Sequence, residues 1–242
     1  MSVIYEPKGK AREYCELALN LYKGCSHGCA YCYAPAATRT IAVDFRKVKP
    51  RKDIIARLEK DVATGAYKGK EVFLCFSCDP YPVGDCDTRE AIRILHAHGV
   101  KVRILTKSGQ RSEADFDLLS AHPELSFYGA TLTFTNCSDS LKWEPEATLP
   151  YSRFTALQRA YALGIPTWAS LEPVIDPVQT LDIIKITHKY VDVYKVGKWN
   201  YHKDAAKIDW KKFGLAARTL LESFGKEYLI KKDLLKEMEG ER

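Results

Sequence analysis

From Glu71 onward the chain alternates short runs of β-branched and aromatic residues with longer segments of helical period, a pattern that admits few folds. Strands are predicted at Leu17 to Tyr22, Glu71 to Ser77, Lys101 to Thr106, Ser126 to Thr133, Thr167 to Leu171 and Asp192 to Val196. Helices are predicted between and after them, at Arg51 to Thr64, Thr88 to His98, Arg111 to Ser120, Ser152 to Leu163, Pro177 to Lys189 and Trp210 to Phe224. Gly99, Gly164 and Gly225 fall where a helix must stop in a left-handed turn. Repetition of this kind implies a parallel sheet covered by helices. Six such units fit either a doubly wound sheet or an incomplete barrel, and hydrophobic pattern alone does not separate the two. Both architectures carry their chemistry at the C-terminal ends of the strands.

Composition narrows the setting. At 242 residues and 46% hydrophobic, the chain can fill one substantial core, and no tandem repeat, low-complexity segment or linker divides it. A single domain over 1–242 is expected, with a loop of special chemistry at 23–35 and a C-terminal tail at 225–242. No apolar run approaches the ~18 residues needed to span a bilayer. The first residues lack the apolar core of a secretory signal, so the expected compartment is the cytoplasm and no membrane partner is expected. In that setting eight cysteines point to metal or redox chemistry rather than to disulfides. The net charge of +6 arises early: ten Lys and Arg stand against four acids up to Lys52, and the remainder carries 27 of each sign. A basic segment around Lys47, Lys49, Arg51 and Lys52 is suited to an anionic partner or substrate, or to a solvated face.

The sharpest local signal is GCSHGCAYCYAP, which spaces Cys25, Cys29 and Cys32 as C-x3-C-x2-C in a loop after the first strand. Gly24 and Gly28 let the backbone wrap so that three thiolates converge. Structural zinc takes four ligands, and His27 offers a fourth, giving a Cys3His site. Three thiolates alone suit a [4Fe-4S] cluster with one iron left for an outside ligand. Other strand ends carry candidates of their own: Cys78 and Asp79, Lys107 and Ser108, Thr131 and Thr133, and Glu172. Tyr81, Trp168, Trp199 and Tyr201 could stack on a base or simply pack in the core.

C-x3-C-x2-C with Tyr31 before the last cysteine resembles the signature of radical S-adenosylmethionine (SAM) enzymes, and LYKGCSHGCAYCYA is similar to the spore photoproduct lyase branch. The likeness continues in order through FSCDPYP, ILTKS, GATLTF and LEPVIDP. The resemblance implies a partial (β/α)6 TIM-like barrel, a [4Fe-4S] cluster on Cys25, Cys29 and Cys32, and SAM bound to the open iron. It implies reductive cleavage of SAM to a 5′-deoxyadenosyl radical, an electron donor such as flavodoxin or ferredoxin, and a DNA, RNA or nucleotide substrate. A peptide or small-metabolite substrate is the alternative, and a zinc-stabilised binding module without catalysis is the second. Carried onto this chain, the resemblance sets Tyr31 beside the adenine and gives Cys78, Asp79, Lys107, Ser108, Thr133 and Glu172 contacts to SAM. Tyr31 and Tyr33 become candidates for relaying a hydrogen atom, with Cys78 facing the cofactor.

One departure stands out. Photoproduct lyases place a hydrogen-donating cysteine two residues before the SAM-contacting position on the second strand, and here that residue is Phe76. Cys75 is adjacent, but strand alternation sends it to the opposite face, and by the same rule Cys75 and Cys78 face apart. With Cys86 they read as independent thiols, and Cys15 and Cys137 as buried or incidental ones. The expected consequence is consumption of SAM as a co-substrate.

Overall fold

The computed structural model describes residues 2–84, 87–200 and 202–240, so Cys86 and Tyr201 lie outside the described residues. Seven parallel strands form one sheet: β1 (Leu17–Leu19), β2 (Glu71–Leu74), β3 (Lys101–Thr106), β4 (Ser126–Thr131), β5 (Thr167–Leu171), β6 (Val193–Val196) and β7 (Glu227–Ile230). They lie side by side in chain order. A doubly wound sheet reverses its order at a switch point, and this sheet has none, so every crossover turns the same way. The helices therefore cover one face: α1 (Ile54–Ala63), α2 (Thr88–Ala97), α3 (Phe116–Ala121), α4 (Pro150–Ala162), α5 (Pro177–Thr187) and α6 (Trp210–Ser223), with α7 (Lys232–Glu239) after the last strand. The result is a partial TIM-like barrel whose edges, β1 and β7, do not pair with each other.

Local sequence explains most boundaries. Ile54, Leu58 and Val62 recur at helical spacing and are the buried side of α1. Asp176 accepts the amides of Val178 and Gln179 ahead of Pro177 at the first turn of α5, and Asp209 accepts Lys212 N to start α6. At the open edge, Tyr5 exchanges two backbone hydrogen bonds with Ala18 of β1, which covers part of that strand.

Two expectations change. The stretch read as a tail contributes β7 and α7, with Leu234 and Met238 buried against the core. EYLI after Gly225 carried the strand signal, but four residues at the end of a chain are a weak one. The second strand, expected to reach Ser77, stops at Leu74 because Cys75 takes a left-handed backbone conformation, φ +71°.

Candidate active site

The strand ends converge on one cavity of about 430 Å³. Its first wall is the cysteine loop after β1. Gly24 and Gly28 both have positive φ, +82° and +61°. A Cβ at Gly24 would lie 2.5 Å from the Phe45 carbonyl oxygen, so that position needs glycine, whereas at Gly28 it would meet only the movable Arg46 guanidinium and the positive φ is what favours glycine. The loop is held from outside by Cys25 N donating to Phe45 O at 2.8 Å and from above by Ala30 N donating to Trp143 O at 2.8 Å. Cys25, Cys29 and Cys32 all line the cavity.

His27 does not join them as a ligand. Only 2% exposed, its Nε2 lies 3.0 Å from the Asp79 carboxylate and its Nδ1 3.4 Å from Glu146 O. Asp79 also accepts from Thr106 Oγ1 at 2.7 Å, Lys107 N at 2.9 Å and Tyr81 N at 2.9 Å. Burial raises such a carboxyl, but His27 and these donors hold it below the usual carboxylate range. Asp79 thus ties the ends of β2 and β3 to the cysteine loop. Ser108 belongs to the same knot: fully buried, it donates to Tyr81 O at 2.7 Å and does not line the cavity. Ser108, expected at the cofactor, thus sits behind the cavity wall.

Tyr31 lines the cavity with its ring 5.5 Å from Lys107 Nζ, and its hydroxyl donates to Glu144. Glu144 is 1% exposed and ion-paired with the equally buried Arg153. Arg153 also donates to Thr148 O at 2.9 Å and Thr131 O at 3.1 Å. Burial and the Glu144 charge push the Tyr31 hydroxyl well up, keeping it protonated. Burial likewise pushes the Cys29 thiol up to about 11, with Lys107 pulling the other way. Thr133 lies beyond the end of β4 and donates to Glu144 at 3.0 Å, so Thr131, not Thr133, faces the cavity. Alternation stops being a guide once the strand has ended.

Glu172, after β5, lies on the cavity wall, held by Tyr14 Oη at 2.8 Å and by Lys231 after β7. Tyr33 is exposed and donates to Phe76 O at 3.0 Å. Of the aromatic candidates, Trp199 lines the cavity and stacks on His202, whereas Trp168 fills the barrel floor. Cys15 is buried and Cys137 exposed on a short helix. Within the basic segment, Arg51 Nε donates to Tyr22 O at 3.1 Å and Lys47 pairs with Asp44, while Lys49 and Lys52 are exposed.

The turn at Cys75 overturns the strand-face argument. Cys75, Phe76 and Cys78 all line the cavity, and Phe76 stacks on Phe73 at 3.9 Å. The Cys75 thiol is buried and hydrogen-bonded with Cys78, and both effects push it well above the ordinary thiol range. The two cysteines are neighbours, not residues on opposite faces.

Sequence reasoning missed Tyr14, Lys231, Glu144 and Arg153. Lys231 would have followed from the strand-end rule had β7 been read. Glu144 and Arg153 carry no local signal, since each is an ordinary charge in its own segment.

No family model matches the chain. An uncharacterised protein of Acidianus two-tailed virus, ORF301, is 26% identical over 69% of this chain, which spans 59% of that protein's length. Spore photoproduct lyase complexed with dinucleoside spore photoproduct superposes with a TM-score of 0.71 over 92% of this chain and 78% of the lyase at 14% identity. SuiB of Streptococcus suis bound to S-adenosylmethionine gives 0.66 over 88% of this chain and 49% of SuiB at 10% identity. The chain therefore shares the partial barrel of spore photoproduct lyase and SuiB, the fold that its cysteine motif led us to expect.

Proposed function

We propose that the chain is a radical SAM enzyme with a [4Fe-4S] cluster on Cys25, Cys29 and Cys32 and SAM in the adjoining cavity. The observation that carries this reading is the meeting of three motif cysteines on one cavity at the strand ends, without a fourth ligand among them. Among the described residues, no three His, Cys, Asp or Glu side chains are gathered as a single metal ion requires, and both His27 nitrogens have other partners. A cluster that binds each thiolate to a different iron fits this donor set better than zinc. When bound, cluster and SAM supply a 5′-deoxyadenosyl radical after one-electron reduction.

This chain's own residues bind, orient and shield. Lys107 offers an ammonium beside Tyr31 to a carboxylate in the cavity, and Thr131 and Asn200 offer polar contacts. Asp79, with its oxygens engaged, positions Lys107 through the backbone amide. Five lysines line the cavity; Lys10, Lys198 and Lys231 are paired with Asp233, Glu237 and Glu172, and it is Lys8 and Lys107 that favour an anionic substrate. A nucleic acid or nucleotide fits that charge and the dinucleoside seen in spore photoproduct lyase. The precursor peptide seen in SuiB supports a peptide as the second reading.

Anaerobic reconstitution with iron and sulfide tests the proposal. About four irons per chain and reductive formation of 5′-deoxyadenosine are expected, and Cys29→Ala abolishes both while Cys137→Ala changes neither. One tightly held zinc per chain and no SAM cleavage would refute it. With a substrate in hand, the ratio of 5′-deoxyadenosine to product in wild type and Cys75→Ala tells whether the re-aimed Cys75 returns hydrogen: a ratio well below one that rises in the variant assigns it that role.

A further inference from the structure

The two unpaired edges of the barrel, β1 and β7, are bridged by residues 5–14. At the β1 end Tyr5 is fixed by its two backbone hydrogen bonds to Ala18 and by Asn20, which donates to its hydroxyl at 2.7 Å, and Pro7 beside it is buried. At the other end the Tyr14 hydroxyl is hydrogen-bonded to Ser170 and Glu172, both at 2.8 Å, and the buried Lys195 donates to the Tyr14 and Glu13 carbonyls at 2.8 and 3.3 Å. Between these anchors lies a short 3-10 helix, Gly9–Glu13, in which no residue is buried. Lys8, Lys10 and Ala11 nevertheless line the cavity, so this stretch is its wall on the open side of the barrel. Two polar contacts tie the wall to α7. Lys10 pairs with Asp233, both more than a third exposed, and the Glu13 carboxylate accepts from Lys232 N at 2.8 Å. Exposed contacts of this kind hold weakly. Lys231, next in the chain to this latch, pairs with Glu172 on the cavity wall.

We propose that residues 8–13 are a gate: latched to the start of α7 they close the open side of the barrel, and released they bow outward between Pro7 and Tyr14 to admit SAM. The inference rests on the reading that SAM occupies this cavity. A segment with fixed ends, no buried side chain in its helix and exposed contacts opens far more readily than the sheet beside it. Gly9 supplies the bend. It has φ +61°, and a Cβ there would meet no atom within 4 Å, so the turn of the backbone rather than crowding is what favours glycine. A gate changes how fast a ligand enters and leaves while the contacts made inside stay the same, and this separates it from a fixed binding wall.

The test uses the anaerobically reconstituted enzyme with labelled SAM as the probe, its association and dissociation rates followed by rapid filtration. Asp233→Asn with Glu13→Gln removes the latch without altering a residue that lines the cavity. SAM should then enter and leave about fivefold faster, with an affinity within about twofold of wild type and iron content unchanged. Gly9→Ala loosens the closed form by an independent route, because alanine is strained at this φ, and should raise both rates about threefold or more. Unchanged rates in both variants overturn the proposal. So does a loss of affinity with association unchanged, which would make the segment a fixed binding wall. If wild type binds no SAM, the cofactor reading fails, and hydrogen exchange still decides on the gate: amides 9–13 should exchange orders of magnitude faster than that of Ala18, and equally slow exchange overturns it.

Discussion

On β4, Tyr128 and Ala130 turn toward the helices, while Phe127, Gly129 and Thr131 turn to the concave side. The same division on β2, β5 and β6 gives an outer face of Val72, Leu74, Ala169, Leu171, Tyr194 and Val196 and an inner face that includes Glu71, Phe73, Trp168 and Lys195. The outer face meets helices mainly through apolar volume, with the Tyr128 and Tyr194 hydroxyls hydrogen-bonded to Ser112 and Thr187. The inner face packs cations over rings: Arg103 lies 4.5 Å from the Phe127 ring and 5.3 Å from Trp168, and Lys195 lies 5.2 Å from Tyr14 and 5.6 Å from Trp168. Arg103 also pairs with Glu71. At its aliphatic positions the outer face asks mainly for the right size, whereas the inner face asks for particular partners, so substitutions at the two should differ in tolerance.

The largest effect is expected above the strand ends, where partner identity matters most. Arg153→Leu leaves Glu144 buried and unpaired and frees two carbonyls, at a cost of about 3–5 kcal/mol in denaturant unfolding. Recovery of stability in the double variant Arg153→Leu, Glu144→Gln would show the cost to be the stranded charge. Next comes Gly129→Ala, whose Cβ would collide with the Trp168 ring across the β4–β5 pair. Overpacking of this kind costs about 1–3 kcal/mol. Adding Trp168→Leu should return part of the loss if the ring is the obstacle, a non-additivity that a double-mutant cycle measures. On the helix-facing side, Ile104→Val should cost only about 0.5–1.5 kcal/mol. If Gly129→Ala proves as mild as Ile104→Val, the contrast between the faces is broken.

The smallest effect is a pH dependence from the helix layer. Burial, with His122 nearby, lowers His96 to about 4. The unfolded chain binds this proton near the ordinary histidine value and the folded chain does not until about pH 4. Between those values the unfolded state holds more protons, so stability falls on acidification through that window. Melting temperatures from pH 7 to pH 4 should drop less steeply in His96→Gln than in wild type.

Much of the site was legible because it is local. Cys25, Cys29, Cys32 and Tyr31 lie within eight residues, and the glycines that bend the loop are part of the motif. Lys107 and Glu172 followed from the rule that strand ends carry chemistry. Thr133 and Ser108 lie off the cavity wall, because the same rule does not say which side chain turns inward once the strand has ended. Glu144 serves Tyr31 from 113 residues away, a pairing that no local pattern encodes.

The sequence by itself determined the order of strands and helices and the convergence of three cysteines on one loop, since periodicity and motif spacing act over a few residues. Hydrophobic periodicity could not choose between a doubly wound sheet and a partial barrel; the motif resemblance pointed to the barrel, and the tertiary structure lays the strands in chain order, as a partial barrel requires. Only the tertiary structure decided that the last residues complete the wall with Lys231. The turn at Cys75 is the clearest case: one residue at φ +71° ended the alternation and brought two thiols together. Backbone sterics permit that conformation without requiring it, and what selects it is the packing of the strand end against the rest of the fold.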